Sequence, residues 1–262
     1  MIKKIFLLLI FVMVLFFCNG CKKTEKPITD DLKTILNRGN IIVGVKTDSY
    51  PFGYTDKKGH YLGYDPTLAR LIAKGLFGSE RKVKFVPVTA TNRMMQLYSG
   101  DIDMIIATMS VTPKRQELLD FSQSYYTAGQ AILVRNDSKI KSIKDLNKKR
   151  AIIVFGSTSE MSLRAAVPHV QIIGYKTYTQ AYNALKAGRA DAIVSDDTIL
   201  LGFALKDNSL KLLPKRYSKE PYAVAFRKGP ESKNLVNAVN EIIKSETKSG
   251  HLKEVQKNLG IK

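Results

Sequence analysis

The chain has 262 residues, of which 44% are hydrophobic, and a formal net charge of +19 from 42 basic and 23 acidic side chains. That is enough apolar material for one large or two modest cores, which excludes a disordered chain. Lysine supplies 31 of the 42 basic residues and no basic run is interleaved with aromatics. This argues against a nucleic-acid reader and for a solvated lysine surface, with attraction to anionic membrane or cell-wall polymers as the alternative. The two cysteines, Cys18 and Cys21, stand near the N-terminus, and the three histidines are isolated. Neither a disulfide framework, a metal site nor a cofactor is expected.

Residues 1–21 read as a processing segment. Lys3 and Lys4 precede an apolar run over residues 5–17, which is 13 residues long. A permanent membrane span needs about 20. The run ends in Cys18-Asn19-Gly20-Cys21, followed by polar KKTEK. A small residue directly before a cysteine here resembles the lipobox of bacterial lipoproteins. Cys18 stands where leucine is usual. The resemblance implies a signal peptide over 1–20 and a diacylated Cys21; a plain secretory signal or an uncleaved anchor are the alternatives. All three place the body of the protein outside the cytoplasm. Loss of residues 1–20 removes two lysines and no acids, leaving +17.

Beyond a short tether, residues 31–38 have helical spacing, with Gly39 as the stop. Residues 41–45 read as a strand leading into a loop with Lys46, Asp48, Tyr50 and Phe52. Asp65-Pro66 is expected to cap a helix with the stripe Leu68, Leu71, Ile72 and Leu76. A strand over 83–88 and a helix over 89–98 follow, with Arg93 in the helix's first turn and Met94, Leu97 and Tyr98 inward. Next comes GDIDMIIATMSVTPKRQELLDFSQSYY, residues 100–126. Its apolar strand at Met104 to Ala107 gives way to Thr108, Ser110 and Thr112, and Pro113 opens a helix that Thr112 can cap. Arg115 is then a cation in a first turn, against the dipole. Hydroxyls, free N–H groups and an arginine at a strand end make an anion receptor. A structural pairing of Arg115 with Asp120 is the equal alternative.

Alternating strands and helices argue for a parallel α/β layer, with Lys46, Tyr50, Thr108, Ser110 and Arg115 gathered at one sheet edge. A second α/β series follows. It has strands near 131–134, 151–155, 170–173 and 192–194, and helices from about 157, over 177–187 and over 198–205. Ser157 and Thr158 sit at a helix start that suits an anion, with a capping box of Ser157 and Glu160 as the alternative. Asp196 and Asp197 follow a strand; one can cap while the other faces a cleft. Residues 231–259 are helical and amphipathic.

Four segments, residues 62–73 (LGYDPTLARLIA), 100–126, 156–160 and 188–196 (GRADAIVSD), resemble in order and spacing the amino-acid-binding family of bacterial solute-binding proteins. These are the receptors of ABC importers. The resemblance implies an α/β fold of the two-lobed periplasmic-binding-protein type (type II), with two hinge crossovers. Lobe 1 would be 22–127 plus 222–262 and lobe 2 would be 128–221. By position in the motifs, Arg115 would clamp the ligand α-carboxylate, helped by Ser157 and Thr158. Ser110, the Thr108 carbonyl and Asp196 would receive the α-ammonium. Asp197 falls off the family position and is assigned a cap or surface role. Aromatic cover would come from Tyr50 or Phe52.

Arg93 and Lys46 are extra cations at the expected side-chain end, and TNR and VKTD look like the glutamate/aspartate branch. The expected ligand is therefore glutamate or aspartate, then glutamine or cysteine. The implied partners are an ABC permease and, through the lipid, a membrane, with a monomeric receptor and no nucleic acid. Two rivals remain: an exported cyclohexadienyl or arogenate dehydratase-like enzyme on the same fold, and a ligand-sensing surface antigen. The first would need a positioned acid or base, for which only Asp196 and Asp48 offer themselves.

Overall fold

The computed structural model describes residues 30–261; the leader, both cysteines and most of the tether lie outside the described residues. Two five-stranded sheets organise the chain. The first contains β1 (Ile41–Val45), β5 (Val83–Pro87), β6 (Met104–Ile105), β7 (Leu119–Ala128) and β13 (Glu220–Arg227), in the order β5-β1-β6-β13-β7. Its first three strands are parallel, and β13 runs against both β6 and β7. The second contains β8 (Gln130–Arg135), β9 (Arg150–Val154), β10 (Gln171–Tyr175), β11 (Ala192–Asp196) and β12 (Leu210–Leu212), in the order β10-β9-β11-β8-β12. Here β9, β10 and β11 are parallel, and β8 runs against β11 and β12. The two halves thus share one plan, each a lobe. A small antiparallel sheet of β2 (Asp48–Ser49), β3 (Gly53–Thr55) and β4 (Tyr61–Leu62) is added to the first.

Helix α1 (Asp31–Arg38) forms where its caps require: the Asp30 carboxylate accepts from the N–H groups of Leu32 and Lys33, and Gly39 ends it at φ 76°. Helix α2 (Tyr64–Phe77) starts one residue before the expected cap. Asp65 lies inside its first turn, buried and making no cap bond. Helix α3 (Arg93–Ser99) starts later than expected. The Asn92 side chain accepts from Thr89 N at 2.8 Å, and Thr89 Oγ1 accepts from Asn92 N at 3.2 Å, so residues 89–92 close a local turn instead. Tyr98, expected inward, is 49% exposed, and its hydroxyl donates to the Leu118 carbonyl. Helix α4 (Pro113–Gln116) is a single turn with Pro113 first and Thr112 accepting from Arg115 N at 3.2 Å.

Leu68 and Ile72 of α2 pack with Val43 and Val45 of β1, and α8 (Lys233–Lys248) adds Leu235, Val239 and Ile243 to the same core. Helix α9 (His251–Asn258) follows a break at Gly250. The second sheet is covered on one face by α6 (Tyr178–Lys186) and α7 (Asp197–Lys206), and on the other by α5 (Ser159–Ala166). The chain passes between the sheets twice, side by side. Ala128 pairs with Glu220, Gln130 N donates to Ser218 Oγ at 3.0 Å, and Tyr217 N donates to Gln130 O at 2.8 Å. Among the described residues no helix is long and apolar enough to cross a membrane.

Candidate functional site

The strand ends of both lobes face one another across a cleft, and the charged residues expected there meet in it. Lys46 follows β1 and is 2% exposed; its Nζ donates to Thr108 Oγ1 at 2.6 Å and lies 4.8 Å from the Tyr178 ring centre. Arg93 opens α3 and is also 2% exposed; its Nη1 donates to Ala107 O at 2.7 Å and to Thr108 O at 3.4 Å. Arg115 is half-buried; its Nη1 donates to Ser110 O at 2.7 Å. The alternative pairing with Asp120 is not formed, because Asp120 binds Lys228 at 2.9 Å. Among the described residues none of these three cations has a carboxylate within 4.0 Å.

The two arginines reach across the cleft to one atom. Gly156 O, which follows β9 in the second lobe, accepts from Arg115 Nη2 at 2.9 Å and from Arg93 Nη2 at 3.3 Å. Gly156 has φ 78°, and a Cβ there would lie 2.3 Å from Ala90 O, so only glycine allows this approach. The lobes are therefore in contact, and the cleft is closed.

On the second lobe's side, Asp196 ends β11 and is 6% exposed. Its Oδ1 accepts from Gln130 Nε2 and its Oδ2 from Tyr222 OH, both at 2.5 Å. Thr158 Oγ1 accepts from Gln130 Nε2 at 3.2 Å and donates to Glu220 Oε2 at 3.1 Å. Ser157 Oγ donates to Val154 O at 2.6 Å. The capping box with Glu160 does not form, since Glu160 pairs with Arg164 in the next turn of α5. Asp197 turns away: it accepts from Gly129 N at 3.1 Å and pairs with Arg216 at 2.8 Å, tying α7 to the crossing segments. Phe52 is fully buried among Tyr64, Tyr126 and Tyr222. The Tyr50 ring meets Tyr54 and Lys206 rather than the charged cluster.

Asp65, Gln130, Tyr178, Glu220 and Tyr222 join the cluster without having been picked from the sequence. Asp65, fully buried, accepts from Thr108 N at 2.9 Å and from Tyr125 OH at 2.8 Å. It thereby holds Thr108 in the left-handed region at φ 47°, which turns the Thr108 hydroxyl to Lys46 and its carbonyl to Arg93. A Pro following an Asp in a helix's first turn looks the same in sequence whether the carboxylate caps or points inward.

Burial dominates the electrostatics. It lowers Lys46 to about 7, with Arg93 adding repulsion and Asp48, Asp196 and Asp65 opposing. It raises Asp196 to about 6, helped by Glu220 and opposed by the Tyr222 hydrogen bond and Lys46. Asp65 is raised to about 6 by burial, against its bonds from Tyr125 and Thr108. Arg93 comes down to about 9, by burial and then by Arg115, and stays charged at neutral pH. Among the described residues, Arg93 Nε, Gln130 Oε1 and Ser159 Oγ are buried without a hydrogen-bond partner. An orphan of this kind costs about 1–3 kcal/mol.

Two lobes, two crossings, and a buried cleft carrying cations on one wall and a carboxylate on the other define a receptor that closes on a small charged solute. The chain belongs to the bacterial extracellular solute-binding proteins, family 3, whose sequence model matches residues 41–260. It is 36% identical over 265 residues to the ABC transporter glutamine-binding protein GlnH of Bacillus subtilis (strain 168), covering 97% of this chain and 96% of that protein. It is 29% identical over 218 residues to the glutamate/aspartate import solute-binding protein of Salmonella typhimurium (strain LT2), covering 79% and 72%. Among solved structures, the cysteine-binding protein from Campylobacter jejuni superposes with a TM-score of 0.83 at 32% identity, covering 88% of this chain and 92% of that one. These relatives carry the fold and class expected from the motifs, and they are binding proteins rather than enzymes.

Proposed function

We propose that the chain is the extracytoplasmic receptor of an ABC importer for a polar amino acid, glutamate or aspartate ahead of glutamine and cysteine. The observation that carries this reading is the pair of buried cations, Lys46 and Arg93, with no carboxylate of the described residues within 4.0 Å. Unpaired buried charge is costly, and a second carboxylate on the ligand supplies the missing partner. In this reading Arg115 exchanges a backbone carbonyl for the ligand α-carboxylate, with Ser157 and Thr158 closing from the second lobe. Asp196, Ser110 and the Thr108 carbonyl take the α-ammonium, Lys46 and Arg93 take the side chain, and Tyr50 lies at the rim. Contacts to charged groups contribute about 1.5–3 kcal/mol each. A micromolar ligand requires about 8 kcal/mol net, so a few such contacts suffice after ordering costs.

The test is a thermal-shift panel of the amino acids, with mass spectrometry of whatever co-purifies. A ligand that binds only the native state must raise the melting temperature. The expected result is the largest shift with glutamate or aspartate; no shift with any amino acid overturns the reading. Glutamine as the main ligand is the second reading, favoured by the 36% identity to a glutamine-binding protein. Arg93→Met separates the two: it abolishes a glutamate preference and leaves a glutamine preference in place. Recovery of cyclohexadienyl acids unchanged after incubation excludes the dehydratase alternative.

The proposed life of the protein begins with export under a signal over 1–20 and lipidation of Cys21, which holds a monomeric receptor at the outer face of the cell membrane. Lobes over 22–127 plus 222–262 and over 128–221 then open and close about the two crossings and hand the ligand to the permease.

A further inference from the structure

The charged cluster joins the lobes on one flank of the cleft. A second set of contacts also joins them, touching that cluster only at the backbone of Tyr178 and the proposed rim only at Tyr50. It comes from the β2–β3 hairpin of the first lobe. Asp48 Oδ2 accepts from Tyr178 N, in the first turn of α6, at 3.0 Å. Lys206, at the end of α7, places its Nζ 4.3 Å from the Tyr50 ring centre and 5.8 Å from that of Tyr54. The two rings meet edge to face at 5.0 Å. The backbone also closes in: a Cβ on Gly202, within α7, would lie 2.0 Å from Tyr50 O. Between hairpin and helices remains a cavity of about 220 Å³, lined by Thr47, Thr179, Ile199 and Phe203 among others. The hairpin thus holds the second lobe by a few directed contacts across a gap rather than by a packed core.

We propose that Tyr54 and Lys206 are affinity-determining residues that act on binding without touching the ligand, because the hairpin clasps α6 and α7 and sets the fraction of protein that is closed. This rests on the reading of the charged cleft as the ligand site. The apparent affinity of a receptor scales with the population of its binding-competent form. Loosening the clasp therefore weakens every ligand by one common factor. Substituting Lys46 or Arg93 changes the ratio between ligands instead.

The experiment uses the mature chain with Tyr54→Leu, Lys206→Gln, the pair together, and Gly202→Ala. Spin labels at Lys84 and Gln171, exposed and on opposite lobes, report the interlobe distance without ligand. Calorimetry gives the affinities for glutamate and glutamine. Each single variant is expected to populate longer distances and to weaken both ligands equally, by about two- to fivefold, the size of an exposed cation–π contact. The double variant is expected to fall short of the product of the singles, since the Tyr54–Lys206 contact is common to both. Gly202→Ala is expected to weaken both ligands by about tenfold or more while the ligand-free protein melts no earlier, because alanine suits a helix interior better than glycine. Unchanged distance distributions overturn the proposal, as does a change in the glutamate-to-glutamine ratio. If the wild type binds no amino acid, the proposed function fails and the distance measurement alone still decides the clasp.

Discussion

Raising the pH from 7 to 9 is expected to weaken glutamate binding far more than glutamine binding. The cause is Lys46, which burial, and next the repulsion of Arg93, hold at about 7 in the ligand-free protein. At pH 7 that amine is about half protonated, and at pH 8 mostly neutral. A ligand carboxylate beside it favours the ammonium. Two unit charges about 4 Å apart attract by about 4 kcal/mol at an effective dielectric of 20. At 1.36 kcal/mol per pKa unit, that holds the Lys46 ammonium protonated well above pH 7 in the complex.

The sign follows. The complex binds a proton that the free protein lacks from about pH 7 upward, so affinity falls by up to about tenfold per pH unit there and is flat in Lys46 at acid pH. Glutamine has no second carboxylate and shows no such slope. Titration of the ligand's own α-ammonium cancels in the ratio of the two. Calorimetry at pH 8 in buffers of different ionisation enthalpy is expected to show uptake of nearly one proton with glutamate and none with glutamine. Lys46→Met is expected to abolish the uptake and to cost glutamate about a hundredfold in affinity. Equal pH slopes for the two ligands, or a slope that survives in Lys46→Met, refute the assignment of Lys46 to the side-chain carboxylate.

On the acid side, Asp196 is raised to about 6 and must be ionised to hold an ammonium, so affinity for every amino acid is expected to decline below pH 6. Asp196→Asn removes that acid limb and weakens all ligands together, by a hundredfold or so for the loss of about 3 kcal/mol of charged contact. Gly156→Ala places a methyl against Ala90 O and strains a φ of 78°. Small-angle scattering is expected to show a more open molecule, with ligand affinity reduced about five- to a hundredfold by about 1–3 kcal/mol of strain and lost contact. Cys21→Ser is expected to move the exported protein from the detergent phase to the aqueous phase on partitioning; retention in detergent refutes lipidation at that residue.

Much of the scaffold was legible because it obeys local rules. The buried parallel strands are short apolar runs, and Thr112-Pro113 marks a helix start wherever it occurs. Arg115 and Asp196 stood out as charges at strand ends. What escaped is set by residues far apart in sequence. β7 carries no clear local sign of a ten-residue strand, because its half-polar run LDFSQSYYTA has a broken alternation and gains its partner, β13, only about 100 residues later. Gln130 and Glu220 look like surface residues in connecting segments, yet the second lobe buries both to 5% exposure or less. Asp65 looks like a cap in sequence because its partners, Thr108 N and Tyr125 OH, lie more than 40 positions away. Aromatic cover is expected from Tyr50 or Phe52, whereas the ring beside Lys46 is that of Tyr178, from the opposite lobe.

Gly156 O has a consequence for how tightly cargo is held. This one carbonyl of the second lobe accepts from both arginines of the first. In the proposed reading a ligand carboxylate takes Arg115 from it, so a ligand has to replace an interlobe bond as well as add its own. The grip on cargo is then a difference between two sets of contacts. A change that weakened only the carbonyl's hold on Arg115 would tighten the grip rather than loosen it.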